Sequence, residues 1–307
     1  MRVRLDYQEK PEHPHKVYES QSQHANAALV LRVVDLLENG RTGLVTDVDG
    51  TISPIVPRPE NARVLPRARE ALEGLRDLLT LIAVVSGRTA ADARRMVGVD
   101  GLTYVGNHGL EIWSELRGPE LVPEARPWVP RVAAVLDDVL RQVQVAGVLV
   151  ENKGATGSLH YRLTANPDRA RRELLAVLAR RAVTSGLRIE EGRMVINLLP
   201  PLMVTKGSAV TWLVREHHLE RLVYLGDDVT DAHAFRALAG LRETENVQTL
   251  SIGVVGQETP PSVRQLADAT LPSVSAVADL LCQVYEQLRS SVSMDERAPT
   301  LGRDTHG

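Results

Sequence analysis

The chain has 307 residues, 43% hydrophobic and 24% charged, with a formal net charge of −3, the composition of a globular chain long enough for two compact units. No basic field covers it, and with 3% aromatic residues it lacks base-stacking platforms, so nucleic acid is excluded as a partner. A single cysteine, Cys282, rules out an internal disulfide and any multi-cysteine metal site, and its place in the stripe Val277, Leu280, Leu281, Val284, Leu288 predicts core packing.

In chain order, residues 1–24 read as a flexible lead-in, polar and without the apolar centre of a secretory signal. Ala27, Val30, Leu31, Val34 and Leu37 recur at helical spacing until Gly40 stops them. Residues 43–46 form a short apolar strand, residues 67–78 a helix, and residues 81–85 a continuous apolar run of the kind found in buried parallel strands. Residues 103–105, 222–225 and 252–255 are further strand candidates. Between them the pattern changes, with strands predicted at 110–113, 148–151, 158–161, 187–190 and 195–199 and helices at 130–143 and 168–184. The organisation expected is a core of residues 25–117 and 200–290, an inserted α/β unit at 118–199, and a flexible tail at 291–307. No apolar run approaches the ~18 residues of a membrane span. A cytoplasmic protein without membrane contact is expected.

Three strands carry polar residues just past their carboxyl ends, Asp47, Ser86 and Asp227, on the edge where open α/β sheets bind ligands. In Asp47-Val48-Asp49-Gly50-Thr51 the first carboxylate can attack phosphorus, giving an aspartyl-phosphate that water later hydrolyses. Asp49, two positions on, projects to the same side and can protonate the leaving alkoxide, then take a proton from water. Gly50 allows a tight turn, and Thr51 can hold the loop or the phosphate. Ser86-Gly87-Arg88 ends a strand and opens a helix, offering a hydroxyl and backbone N–H groups to phosphate. Lys206, ahead of a helix at 207–216, can neutralise phosphate and nucleophile together. Gly226-Asp227-Asp228-Val229-Thr230-Asp231 offers oxygen ligands for magnesium, while Asp231 also reads as a helix cap. A plain cap and turn at Ser86 and a solvated Lys206 are the ordinary readings of those pieces alone, whereas a helix cap accounts for Asp231 but not for the adjacent pair Asp227-Asp228; the joint order of all four points to phosphoryl transfer.

In this order and spacing the four elements resemble the haloacid dehalogenase (HAD) superfamily. The resemblance implies an α/β fold: a doubly wound, Rossmann-like core with a smaller α/β cap domain inserted between the second and third motifs. It implies Asp47 as nucleophile, Asp49 as acid/base, and Lys206 and Ser86 on the phosphate. Mg2+ is the implied cofactor, held by Asp47, Asp49 (through its carbonyl), Asp227 and Asp228.

The inserted unit would choose the substrate. Glu151 and Lys153 alternate on one predicted strand and share a face, an acceptor and a donor for sugar hydroxyls. Glu151-Asn152-Lys153-Gly154 and His160-Tyr161-Arg162, with Gly106-Asn107-His108-Gly109-Leu110-Glu111 upstream, resemble the trehalose-6-phosphate phosphatase family. That resemblance implies hydrolysis of trehalose 6-phosphate to trehalose and phosphate. Substrate contacts are implied for Glu151, Lys153, Asn107 and His108, joined by Thr51, Gly87, Arg88, Arg162 and Asn197. A trehalose-6-phosphate synthase is the implied protein partner. One departure stands out: Asn197 and Leu199 occupy positions where a Glu and an Arg are expected. Weaker affinity or another sugar phosphate, such as sucrose phosphate or a glucosyl- or mannosyl-glycerate phosphate, is the alternative. A mutase of the phosphomannomutase type would return phosphate to sugar. A receiver domain would lack the second carboxylate, and a non-catalytic trehalose-synthesis partner would have lost the nucleophile, acid/base or metal ligands that this chain retains.

Overall fold

The computed structural model describes residues 14–116, 118–192, 194–256 and 259–295. Helix α1 (Pro14–Leu37) leads into β1 (Thr42–Thr46), α2 (Pro66–Arg76), β2 (Leu81–Val85), α3 (Ala90–Val97), β3 (Thr103–Gly106), β4 (Glu111–Ser114) and β5 (Gly118–Leu121). A second run follows: α4 (Val129–Gln142), β6 (Leu149–Asn152), β7 (Gly157–His160), α5 (Pro167–Ser185), β8 (Arg188–Gly192) and β9 (Val195–Leu199). The chain closes with α6 (Lys206–Glu216), β10 (Arg221–Gly226), α7 (Val229–Thr244), β11 (Gln248–Val254), α8 (Pro261–Leu266), β12 (Ala269–Leu271) and α9 (Val274–Asp295).

The first and last runs share one eight-stranded sheet in the order β12-β11-β10-β1-β2-β3-β4-β5. The chain winds outward from β1 to β3, then returns to lay β10, β11 and β12 on the other side, all parallel. Both faces are covered, so the strands are apolar throughout. Leu44, Ile82 and Val84 pack toward α1, α2 and α9, while the alternate residues Val45, Ala83 and Val85 pack toward α6 and α7. Central β1 pairs with β2 and β10 in a register that sets Thr46 opposite Val84 and Leu225. Asp47, Ser86 and Asp227 therefore leave the sheet side by side, at the point where the winding reverses.

The middle run forms a separate antiparallel sheet in the order β6-β7-β9-β8. Leu159, Ile196 and Leu198 on one face are sealed by Val132 and Leu136 of α4 and Leu174 and Leu178 of α5. Alternation turns Ser158, His160 and Asn197 to the other face, which carries no helix and looks onto the core.

The fold class follows the expectation, an α/β core with a smaller α/β cap; three local expectations change. Residues 14–24, expected as a lead-in, are the first turns of α1, and residues 291–295 extend α9; residues 1–13 and 296–307 lie outside the described residues. Gly118–Leu121, expected to begin the insertion, pairs instead with β4 as the edge strand of the larger sheet. Cys282 is partly buried against the core and lies 3.5 Å from the carbonyl of Arg67. Among the described residues no helix is long and apolar enough to cross a membrane.

Candidate active site

The loop after β1 folds back so that the N–H groups of Ile52 and Ser53 reach the Val48 carbonyl at 3.0 and 2.9 Å. Gly50 makes this possible. It sits at φ +88°, and a Cβ there would lie 2.2 Å from an oxygen of Asp227, so no larger residue fits. Asp47, 4% exposed, stands between two groups: the ammonium of Lys206 3.0 Å from its Oδ1, and the carboxylates of Asp227 and Asp231. Ligand oxygens of these three aspartates lie within 4.8 Å of one another. Burial, reinforced by Asp231 and Asp49 and opposed by Lys206, pushes the Asp47 carboxyl up to about 7. For Lys206 burial acts downward, but Asp231 and Asp47 outweigh it and raise its pKa.

Asp231 is fully enclosed and saturated. Its Oδ1 accepts from Lys206 Nζ (2.7 Å) and the Tyr224 hydroxyl (2.6 Å), and its Oδ2 from the backbone N–H groups of Asp227 (3.1 Å) and Asp228 (3.0 Å). It organises the cluster and has little left to offer an ion. Asp228 differs, with its Oδ1 buried and without a hydrogen-bond partner. A divalent cation fits this donor set: carboxylates of Asp47 and Asp227 with oxygens within 4.8 Å of each other, and Asp228, whose buried Oδ1 accepts no hydrogen bond, on the wall of the same cavity.

Arg88 grips Asp49 in a bidentate pair, Nε at 2.6 Å and a terminal nitrogen at 2.9 Å, and also bonds Asp92 at 2.7 Å. Burial works against its charge, and these carboxylates more than restore it. Ser86 Oγ accepts from the Arg88 N–H at 3.2 Å, closing the turn at the end of β2. His108, at φ +61°, lies flat against Gly87, where a Cβ would meet its ring at 2.6 Å. Burial and the cations of Lys153 and Lys206 hold this imidazole down to about 3, so it is neutral.

The cap closes the cavity from above. Lys153 Nζ donates to the Gly87 carbonyl at 2.9 Å and lies 3.5 Å from Glu151, which in turn meets His160 at 3.2 Å. Burial opposes the Glu151 charge, but the His160 bond and Lys153 bring its pKa down to about 2. Burial also lowers Lys153. One cavity is thus lined by Asp47, Asp49, Ser86, Gly87, Arg88, His108, Glu151, Lys153, Arg162, Asn197, Lys206, Asp227 and Asp228.

Two expected substrate contacts are not on its wall. Thr51 is enclosed in the loop, 3.4 Å from Asp227 Oδ1, and Asn107 is 1% exposed with its amide engaged elsewhere. The departures noted in the sequence are both in β9: Asn197 faces the cavity and accepts from Ser158 Oγ at 2.7 Å, whereas Leu199 is buried. Ile55, Val56, Pro57 and Pro59 also line the cavity, an apolar lip that no motif announced. The cluster of prolines after Ser53 was the available signal.

A family model described as trehalose-phosphatase matches residues 45–273. The chain belongs to the trehalose-phosphatase family. The matched span runs from the end of β1 through β12 and so includes both the core carboxylates and the cap. A trehalose-phosphate phosphatase of Mycobacterium marinum is 32% identical over 251 residues, 77% of this chain and 63% of that one. An uncharacterized glycosyl hydrolase of Mycobacterium tuberculosis (strain H37Rv) is 33% identical over 272 residues, 85% of this chain but 19% of its own length. The family's fold is also seen in the C-terminal domain of trehalose-6-phosphate phosphatase from Candida albicans, with a TM-score of 0.71 at 20% identity over 85% of this chain and 98% of that one.

Proposed function

We propose that this trehalose-phosphatase family member is a magnesium-dependent phosphatase that hydrolyses trehalose 6-phosphate through an aspartyl-phosphate on Asp47. The observation that carries this reading is the cavity with two kinds of wall: a floor of carboxylates and Lys206 that suits a phosphoryl group, and a cap of Glu151, Lys153, His160 and Asn197 that suits sugar hydroxyls. The relative from M. marinum carries the same activity in its name.

A bound Mg2+, held by Asp47 and Asp227 with Asp228 close by, would neutralise charge on the phosphate and free Asp47 of its proton. An Asp47 oxygen then bonds to phosphorus as the bond from phosphorus to the sugar oxygen breaks, and Asp49 gives that oxygen a proton. In the second step Asp49 takes a proton from water, the water oxygen bonds to phosphorus, and Asp47 leaves as a carboxylate beside inorganic phosphate. Lys206 stays against Asp47 throughout, offsetting charge at the nucleophile. The substrate-free pairing of Asp49 with Arg88 suits the second step. For the first, Arg88 must exchange Asp49 for the incoming phosphate.

A second substrate reading has its own support. Asn197 can still hydrogen-bond a hydroxyl but has lost the charge-assisted bond, and Leu199 removes a cation, so another sugar phosphate could fill the same cap. Phosphate release from purified protein with magnesium, across trehalose 6-phosphate, sucrose phosphate and glucosyl-glycerate phosphate, separates the two; no preference for the first sinks it. Asp47→Asn should abolish release while leaving the circular-dichroism spectrum unchanged, and turnover persisting in that variant would remove Asp47 as nucleophile.

A further inference from the structure

Asn107 follows β3 at φ +50°, in the left-handed region that Asn tolerates better than most residues. Its backbone N–H donates to the Arg88 carbonyl at 2.7 Å, which fixes it on the core loop that also holds Ser86. Its side chain points away from the cavity, into the cap. Nδ2 donates to the Lys153 carbonyl at 3.0 Å and to Glu111 at 3.2 Å; Oδ1 accepts from Thr156 Oγ1 at 2.8 Å. Lys153 and Thr156 are the two ends of the turn joining β6 to β7, closed by a bond from the Lys153 N–H to the Thr156 carbonyl at 2.9 Å. Between them Ala155, 1% exposed, packs with Leu110 and Ala125. Glu111 is held in turn by the N–H of Ala90 at the start of α3, 2.9 Å away.

One amide therefore clasps both ends of a cap turn, and its third partner, Glu111, is anchored on the core. We propose that Asn107 is a positioning residue: it latches the β6–β7 hairpin to the core, and so sets Glu151 and Lys153 over the phosphate site, without touching substrate. The register makes the link direct, because Lys153 is itself one end of the turn and Glu151 lies two residues before it, opposite Ser158. With the latch open, the hairpin is tied to the core loops chiefly by the bond from Lys153 Nζ to Gly87 and by Ala155. Only the choice of assay substrate rests on the phosphatase reading.

The test uses the full chain and two variants. Thr156→Val removes the clasp from the cap side, far from the catalytic loop, and Asn107→Asp keeps the acceptor and the left-handed tolerance but loses both donors. Hydrogen–deuterium exchange of residues 149–160 should speed up in each variant while exchange in β1 stays unchanged, a readout that needs no activity. In Thr156→Val, KM for trehalose 6-phosphate should rise about three- to tenfold with kcat changed less than about twofold, the size expected for a lost neutral hydrogen bond that holds binding groups in place; Asn107→Asp, which also sets a carboxylate against Glu111, should raise KM further. For p-nitrophenyl phosphate, which has no sugar for the cap to hold, Thr156→Val should leave kcat/KM within about twofold. The two variants cut different bonds to one turn, so the loss in the double variant should be smaller than the sum of the two single losses. Unchanged exchange in the hairpin of both variants would overturn the proposal, and so would equal losses on the two substrates. Faster hairpin exchange in a protein whose wild type ignores trehalose 6-phosphate would sustain the latch and sink the substrate reading instead.

Discussion

Asp231 shows how much one side chain can hold when all of its acceptor positions are used. Four donors converge on it from α6, β10 and the start of α7, and it has no exposed surface. Removing it would leave Lys206 with Asp47 as its remaining carboxylate and strand a buried hydroxyl and two backbone N–H groups, a heavier loss than the deletion of an ordinary contact. Asp231→Ala should cost about 3–5 kcal/mol, the range for breaking a buried ion pair from one side, read as a fall in the urea midpoint without a change in m-value. A cost below about 1 kcal/mol would mean that water replaces it freely, and the cluster is less dry than its burial indicates. The helix-cap reading of Asp231 was legible in its place three residues after Asp228. Its bond to Lys206 was not, because the two are 25 residues apart and only the packing of α6 against α7 brings them together. Asn107 failed in the same way. Its sequence neighbour His108 reaches the cavity, while its own amide is claimed by a turn 46 residues further on.

At the level of elements, strands whose two faces differ were the most legible. β9 spans the five residues expected, because Val195 to Leu198 alternate between the cavity and the helices α4 and α5, with Leu199 buried at the end of the strand. β5 was missed because the inserted unit was expected to begin at Gly118, and Pro119 can belong to a strand here because β5 lies on the edge of the sheet. β12 has three residues, too few for any period to show. The division of labour in the cap sheet leads to a prediction. Leu159 is buried under α4 and α5, while its neighbours Ser158 and His160 line the cavity. Leu159→Ala should therefore cost about 2–5 kcal/mol through the space it leaves, with no polar contact to substrate removed. The expected signature is a lower thermal midpoint with KM for the sugar phosphate changed little at 25 °C. A large rise in KM with stability intact would show that the two faces are not independent.

Over the whole molecule, the strongest surplus of buried carboxylates is at the switch point of the large sheet, where Asp47, Asp227 and Asp231 come together and Lys206 pairs with Asp47 and Asp231. A proton and a divalent cation are rival solutions to that surplus. Without an ion, Asp47 has its pKa raised from 3.8 to about 7, so the folded state keeps a proton there that the unfolded chain gives up. Folding stability without magnesium should thus decline as pH rises from about 4 to 7 and level off above, since in that window the native state binds more protons. Magnesium competes with that proton. Its stabilisation should be small at pH 5, grow as Asp47 ionises, and reach a plateau above pH 7. At a hundred times its dissociation constant it would add about 2.7 kcal/mol, or about 4 °C in Tm for a chain of this size. Thermal scans at pH 5, 6, 7 and 8, with EDTA and with excess Mg2+, give the difference directly. Asp227→Asn should flatten it, because one of the two carboxylates left to the ion is then gone. A shift independent of pH would place the ion away from Asp47; no shift at all would leave Lys206 and a proton as the whole answer to the charge at the end of β1.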